Sequence, residues 1–111
     1  MKKICVLGLG YIGLPTASLF ATHGHQVLGV DVSEKIVETI NKGEIHIEEP
    51  GLFTLAQAAV KSGNLKAALK PEISDVFIIC VPTPLTSEKA ADLSYVEMAV
   101  NAIIPLLKKD D

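Results

Sequence analysis

Residues 3–31 read KICVLGLGYIGLPTASLFATHGHQVLGVD: an apolar strand, three spaced glycines, a helix, a second apolar strand and a terminal acid. That order, more than the glycine spacing alone, is the fingerprint of a dinucleotide-binding βαβ unit, and it points to NAD. The glycines have separate tasks. Gly8 turns the chain sharply out of the first strand, Gly10 lets backbone approach a pyrophosphate, and Gly13 lets helix and strand pack closely. No side chain holds the phosphate. The unpaired N–H groups of a helix starting near Tyr11, together with the positive end of its dipole, attract the anion there. Tyr11 and Ile12 therefore stand at the cofactor-facing helix start, where the Tyr11 ring either covers the pyrophosphate or simply packs. Pro15 falls in the first helical turn, where its missing N–H deprives no intrahelical acceptor.

Asp31 closes the second strand, 18 residues beyond Gly13. A carboxylate at this point accepts hydrogen bonds from the adenosine ribose hydroxyls and repels a 2′-phosphate, which favours NAD over NADP. Lys35, one turn further on, is a second cofactor-side candidate that softens this discrimination. The competing reading makes Asp31 a turn residue that helps Ser33 cap the next helix.

A chain of 111 residues, 49% hydrophobic and with net charge −3, is one domain able to bury a core. It carries no basic surplus for nucleic acid, and no apolar run approaches the ~20 residues needed to cross a bilayer, so neither nucleic acid nor membrane is an expected partner. The opening MKKICVLG runs directly into the glycine turn and reads as strand one instead of a signal peptide, which places the protein in the cytoplasm. Cys5 and Cys80 sit inside apolar strand runs and read as small buried hydrophobes, neither nucleophiles nor a disulfide pair. His23, His25 and His46 show no metal-ligand spacing; the first two flank Gly24 at a helix end, where imidazoles meet free carbonyls.

Further along, Ser33 caps a helix through about Asn41, with Ile36, Val37 and Ile40 on one face and Gly43 beyond its end. The segment 43–51 has neither period, and a helix resumes from Leu52 to Lys61. Leu65 to Leu69 makes a short third strand. Residues 75–81, DVFIICV, form a continuous apolar run suited to burial on both faces of a parallel sheet, stopped by Pro82-Thr83-Pro84. Residues 70–74 are too few for a crossover helix and form a clipped turn or a single helical turn. Ser94-Tyr95-Val96-Glu97 has the form of a capping box; it opens a helix whose apolar face includes Val96, Val100, Ile103, Ile104 and Leu107, bent by Pro105. Right-handed crossovers then give a Rossmann-like, doubly wound α/β sheet of order 3-2-1-4. The chain ends where a complete fold of this type places a fifth strand, so residues 1–111 read as a truncated amino-terminal domain. Strand four is left with an unpaired edge that favours self-association into a homo-oligomer. Thr83 falls beyond the carboxyl end of strand four, where open α/β sheets bind ligands; alternatively its hydroxyl satisfies backbone in a proline-bounded turn.

Several stretches taken together, Gly8-Leu-Gly-Tyr-Ile-Gly-Leu-Pro-Thr-Ala17, Gly43-Glu-Ile-His-Ile47, Glu49-Pro50, Val81-Pro-Thr-Pro84 and Tyr95-Val-Glu97, resemble the amino-terminal domain of the UDP-glucose/GDP-mannose dehydrogenase family. The similarity covers nearly all of the chain. It implies oxidation of C6 of a UDP-linked sugar from alcohol to carboxylate, a four-electron reaction reducing two NAD and supplying uronic acids for polysaccharide biosynthesis. The Gly-Glu-Ile-His-Ile stretch favours UDP-N-acetyl-D-mannosamine over UDP-glucose as the substrate. In the family the second oxidation runs through a thioester on a cysteine of a later domain, assisted by a lysine and an asparagine of the middle domain, and none of these positions exists here. What the resemblance carries over is Gly8, Gly10 and Gly13 under the phosphates, Asp31 at the ribose, Thr83 beside the nicotinamide and catalytic water, and Glu49 in a loop near the active site. Glu48 departs from the apolar residue the family pattern places there. The chain alone is expected to bind NAD without turnover. A reading from another class is a non-catalytic NAD-sensing module, which Val-Pro-Thr-Pro and the loop after it disfavour.

Overall fold

The computed structural model describes residues 2–47, 49–81 and 94–106. Strand β1 (Lys3–Leu7) leads through the glycine turn into helix α1 (Gly13–Thr22) and returns as β2 (Gln26–Val30). Helices α2 (Glu34–Asn41) and α3 (Leu52–Lys61) precede β3 (Leu65–Ala68); β4 (Val76–Ile79) is followed by α4 (Ser94–Ile103) and a 3₁₀ turn over Ile104–Leu106. The four strands are parallel in the order β3-β2-β1-β4, as the crossover rule required. β1 is central, with Cys5 beside Leu28 on one flank and Phe77 on the other.

Alternation along the strands divides the core into two layers, because successive side chains leave opposite faces. Ile4 and Val6 of β1, Val27 of β2, and Leu65 and Ala67 of β3 meet Leu14, Ala17 and Ala21 of α1, Ile40 of α2, and Ala56 and Ala59 of α3. On the reverse face Cys5, Leu7, Leu28 and Val30 meet Ala99 and Ile103 of α4. α2 starts as its sequence indicates, with the Ser33 hydroxyl accepting from Ile36 N–H at 3.3 Å. Its last residue does something the sequence does not announce. The Asn41 amide accepts from Ala67 N–H and donates to Ala67 C=O, each at 2.9 Å, satisfying both backbone groups of a residue on the outer flank of β3.

Three expectations are revised. The regular helix α1 begins at Gly13, two residues after the expected start, because Pro15 cannot donate to Tyr11; the turn is nevertheless open from Gly10, whose carbonyl accepts from Leu14 N–H at 3.1 Å. β4 is half-buried instead of enclosed, with Val76 41% exposed. Among the described residues it pairs only with β1, so it lacks the second neighbour that would shield it. In α4 the buried residues are Ala99 and Ile103, whereas Val100 and Ile104 are exposed, and Leu107 lies outside the described residues. The small Ala99 side chain lets the helix lie close to the sheet, a contact that the bulkier Val100 would hold further off. Between β3 and β4 no helical turn forms. The chain runs through 69–75, and the Asp75 carboxylate accepts from Lys3 N–H at 2.9 Å while Asp75 N–H donates to Lys3 C=O at 2.8 Å, clipping the start of β4 to β1.

Candidate functional site

A cleft of about 770 Å³ lies over the carboxyl ends of the strands, floored by the glycine turn. Its geometry follows from what each glycine lacks. Gly8, at φ +98°, donates to Val30 C=O at 2.7 Å, and a Cβ there would sit 2.5 Å from the Cys80 carbonyl oxygen. Gly8 is thus wedged between the ends of β2 and β4. A Cβ on Gly13 would collide with the Gly8 carbonyl oxygen and reach 3.3 Å from Cys80 Cβ, so this glycine sets how close α1 comes to the sheet. Gly10 differs from both. It lines the cleft, and a Cβ there would have no heavy atom of the described residues within 4 Å, leaving open space above the backbone.

Beside that space the start of α1 is uncapped by any side chain, and no acceptor among the described residues takes the N–H groups of Tyr11 and Ile12. Tyr11 and Ile12 line the cleft with side chains 65% and 72% exposed. Unpaired donors at a helix start, no acid in the first turn and an unobstructed glycine make an anion cradle, which fits the pyrophosphate of a dinucleotide. A fourth glycine, outside the motif, makes room for the loop's buried anchor. Leu9 is fully buried, and a Cβ at Gly29 of β2 would lie 2.7 Å from Leu9 Cδ2, so Gly29 provides the socket that anchors the loop between Gly8 and Gly10.

Asp31 lines the same cleft at the end of β2. Its Oδ2 accepts from Leu9 N–H at 3.1 Å and its Oδ1 from Ser33 N–H at 3.0 Å. The acid therefore ties the glycine loop to the start of α2, while a carboxylate's roughly four acceptor positions leave room for ribose hydroxyls as well. The two sequence readings of Asp31, turn residue and ribose acceptor, are structurally compatible.

Gly8, Gly10, Tyr11, Ile12 and Asp31 are brought together; Gly13 acts from below, buried. Lys35 is exposed on the first turn of α2 and is not among the cleft-lining residues; neither is Glu49, which is exposed and whose carbonyl accepts from Leu52 N–H at the start of α3. Thr83, like Glu48, lies outside the described residues. Both cysteines are unpaired by disulfide. Burial pushes the Cys5 thiol up to about 11, and burial also raises that of Cys80, so both favour the neutral thiol. The sequence did not single out Leu69 and Pro71 after β3 or Met98 and Ala102 of α4, and of His46 in the α2–α3 loop it gave only a place in the Gly-Glu-Ile-His-Ile stretch and no metal-ligand spacing; all five line the cleft. For Leu69 a usable signal existed, its place at the carboxyl end of a parallel strand.

A parallel sheet of this order, with an anion cradle at its first βα turn and an acid ending its second strand, defines a dinucleotide-binding domain of the doubly wound class. The chain belongs to the UDP-glucose/GDP-mannose dehydrogenase family, and residues 2–111 match that family's NAD binding domain. It is 60% identical over 112 aligned residues to the UDP-N-acetyl-D-mannosamine dehydrogenase of Methanococcus maripaludis, an alignment covering 97% of this chain and 26% of that protein. It is 52% identical to the NDP-N-acetyl-D-galactosaminuronic acid dehydrogenase of Ralstonia nicotianae, over 99% of this chain and 26% of that protein. The solved structure of UDP-N-acetyl-mannosamine dehydrogenase from Staphylococcus aureus superposes with a TM-score of 0.94 at 48% identity, covering 98% of this chain and 27% of that one. The chain thus spans about a quarter of the length of the relatives it matches.

Proposed function

We propose that residues 1–111 form the amino-terminal cofactor domain of a nucleotide-sugar 6-dehydrogenase that binds NAD and oxidises UDP-N-acetyl-D-mannosamine to the uronate in a four-electron, two-NAD reaction. The observation that carries this reading is the cradle at Gly10, which among the described residues has free N–H groups at Tyr11 and Ile12 and no side chain above it. NAD bound there would supply the hydride acceptor. The chain's own part is to hold it: the Tyr11 and Ile12 N–H groups receive the pyrophosphate, the Asp31 carboxylate takes the ribose hydroxyls, and Thr83 serves the nicotinamide end. The sugar assignment is supported by the 60% identity to a mannosamine enzyme. Polysaccharide biosynthesis, a cytoplasmic site of action and a homo-oligomeric assembly complete the proposal.

Calorimetric titration with NAD and NADP, on the chain and on Asp31→Ala, tests it. NAD binding tighter than NADP, weakened in the variant, is the expected result. Equal affinity for both cofactors, unchanged in the variant, would sink the ribose role of Asp31, and binding of neither would remove the cofactor reading. Addition of UDP-N-acetyl-D-mannosamine should yield no NADH from the chain alone. A burst of NADH would contradict the division of labour, since the nucleophile would then have to be one of the two neutral thiols.

A further inference from the structure

His46 is the one described histidine whose polar atoms have no explained use. His23 Nδ1 lies 2.8 Å from the Leu19 carbonyl, and His25 Nδ1 accepts from Lys2 N–H at 3.1 Å. His46 lines the cleft, yet both its ring nitrogens are buried and meet no hydrogen-bond partner among the described residues. In either neutral tautomer one ring nitrogen donates and the other accepts, so both a donor and an acceptor are left unmade. Buried polar atoms are otherwise paired in the great majority of cases, and each exception destabilises the fold. Ile45 and Ile47 on either side pack onto the core and hold the residue at the cleft wall, where a turn of the ring brings a nitrogen to a ligand in the cleft.

The wall it shares is informative. Asp31, Val32 and Ile36 line the same cleft from the end of β2 and the first turn of α2, the side on which the adenosine ribose is placed by the function proposed above. We infer that His46 is a binding residue for the dinucleotide, its ring hydrogen-bonding to the adenosine half of bound NAD. The inference rests on the proposed cofactor role. The residue is kept at a cost in the free chain that the ligand relieves, and apolar neighbours such as Ile36 and Ile47 strengthen the bond by excluding water.

Two measurements test it together. Long-range ¹H–¹⁵N spectra of the histidine rings are recorded for the uniformly labelled chain alone and with NAD, ADP-ribose or UDP; His23 and His25 serve as internal controls. NAD and ADP-ribose should move the His46 ring nitrogens, while the controls stay still. His46→Leu should leave the unfolding midpoint unchanged or raised, because it removes an unmade pair, and should weaken NAD binding about tenfold. His46→Gln, which keeps a donor and an acceptor, should recover part of that loss. If the chain binds NAD while the His46 ring nitrogens do not move, or if His46→Leu binds NAD as well as the unsubstituted chain, the inference is overturned. A shift with UDP but not with NAD also overturns it, by assigning the ring to a sugar nucleotide. Failure of the unsubstituted chain to bind NAD is a different result, one that removes the cofactor reading itself.

Discussion

Alanine at Gly13 and at Gly10 should produce opposite defects, although the two glycines belong to one motif and lie three residues apart. At Gly13 the new Cβ collides with the Gly8 carbonyl oxygen, a backbone atom that cannot rotate aside. Gly8 cannot yield either, because its N–H is held by Val30 C=O at 2.7 Å and the Cys80 carbonyl blocks its far side. Forcing a methyl into such a site costs about 1–3 kcal/mol, and loosening the Gly8 bond adds roughly 1 kcal/mol. Alanine's helix preference over glycine returns about 1 kcal/mol. The net expectation is a loss of about 2 kcal/mol, equivalent to a fall in Tm of roughly 10 °C for a domain of this size. At Gly10 the methyl meets nothing within 4 Å and the backbone is not left-handed, so stability should change by less than about 0.5 kcal/mol. That same methyl enters the cleft beside the Tyr11 and Ile12 N–H groups proposed to receive the pyrophosphate, and NAD affinity should fall by roughly tenfold or more. Urea unfolding and calorimetric titration of both variants read the two quantities separately. Equal destabilisation by the two substitutions, or a Gly13→Ala chain as stable as the parent, would refute this account of the turn.

Asp31→Asn should lose the charge on the acceptors for Leu9 and Ser33 N–H and so cost about 1–3 kcal/mol in thermal unfolding even without cofactor, whereas a purely ribose-binding acid would leave the free chain unchanged. Asn41→Ala strands both backbone groups of Ala67 and should cost about 1–3 kcal/mol, with faster amide exchange at Ala67 as the local readout. The Cys5 thiol has its titration raised from 9.0 to about 11 in the fold, so between those values the unfolded chain has already released a proton that the folded chain retains. Stability should therefore be undiminished below pH 9 and fall as pH climbs towards 11, and Cys5 should resist alkylation at pH 8 until the chain is unfolded; a flat profile from pH 9 to 11 would contradict the burial argument.

Most of the scaffold is legible in the letters because strand, glycine and cap signals coincide along residues 3–41, each fixing the next. The strand order follows from handed crossovers alone, and Ser33 caps α2 as its chemistry requires. What escaped the sequence is pairwise and long-range. The choice of Ala99 over Val100 as the buried residue of α4 depends on how near the helix lies to the sheet, which hydrophobic period does not encode. The socket that Gly29 makes for Leu9 and the orphaned ring of His46 are likewise meetings between segments distant in sequence. Asp31 is the instructive case. Its residue type and position announced an acceptor, but only the distances to Leu9 and Ser33 show that its oxygens already hold the loop together.

Asn41 has a consequence for assembly. Its amide presents to Ala67 the same donor and acceptor that a neighbouring strand would, so one side chain acts as a single residue of a strand that is not there. The flank of β3 is thereby blocked against incoming backbone at its middle, while β4, flanked only by β1 among the described residues, keeps its outer row of groups available. Among the described residues the sheet thus has one flank partly closed, at Ala67, and one with no paired strand, at β4, so a further strand, whether from the same polypeptide or from another copy, extends it more readily on the β4 side.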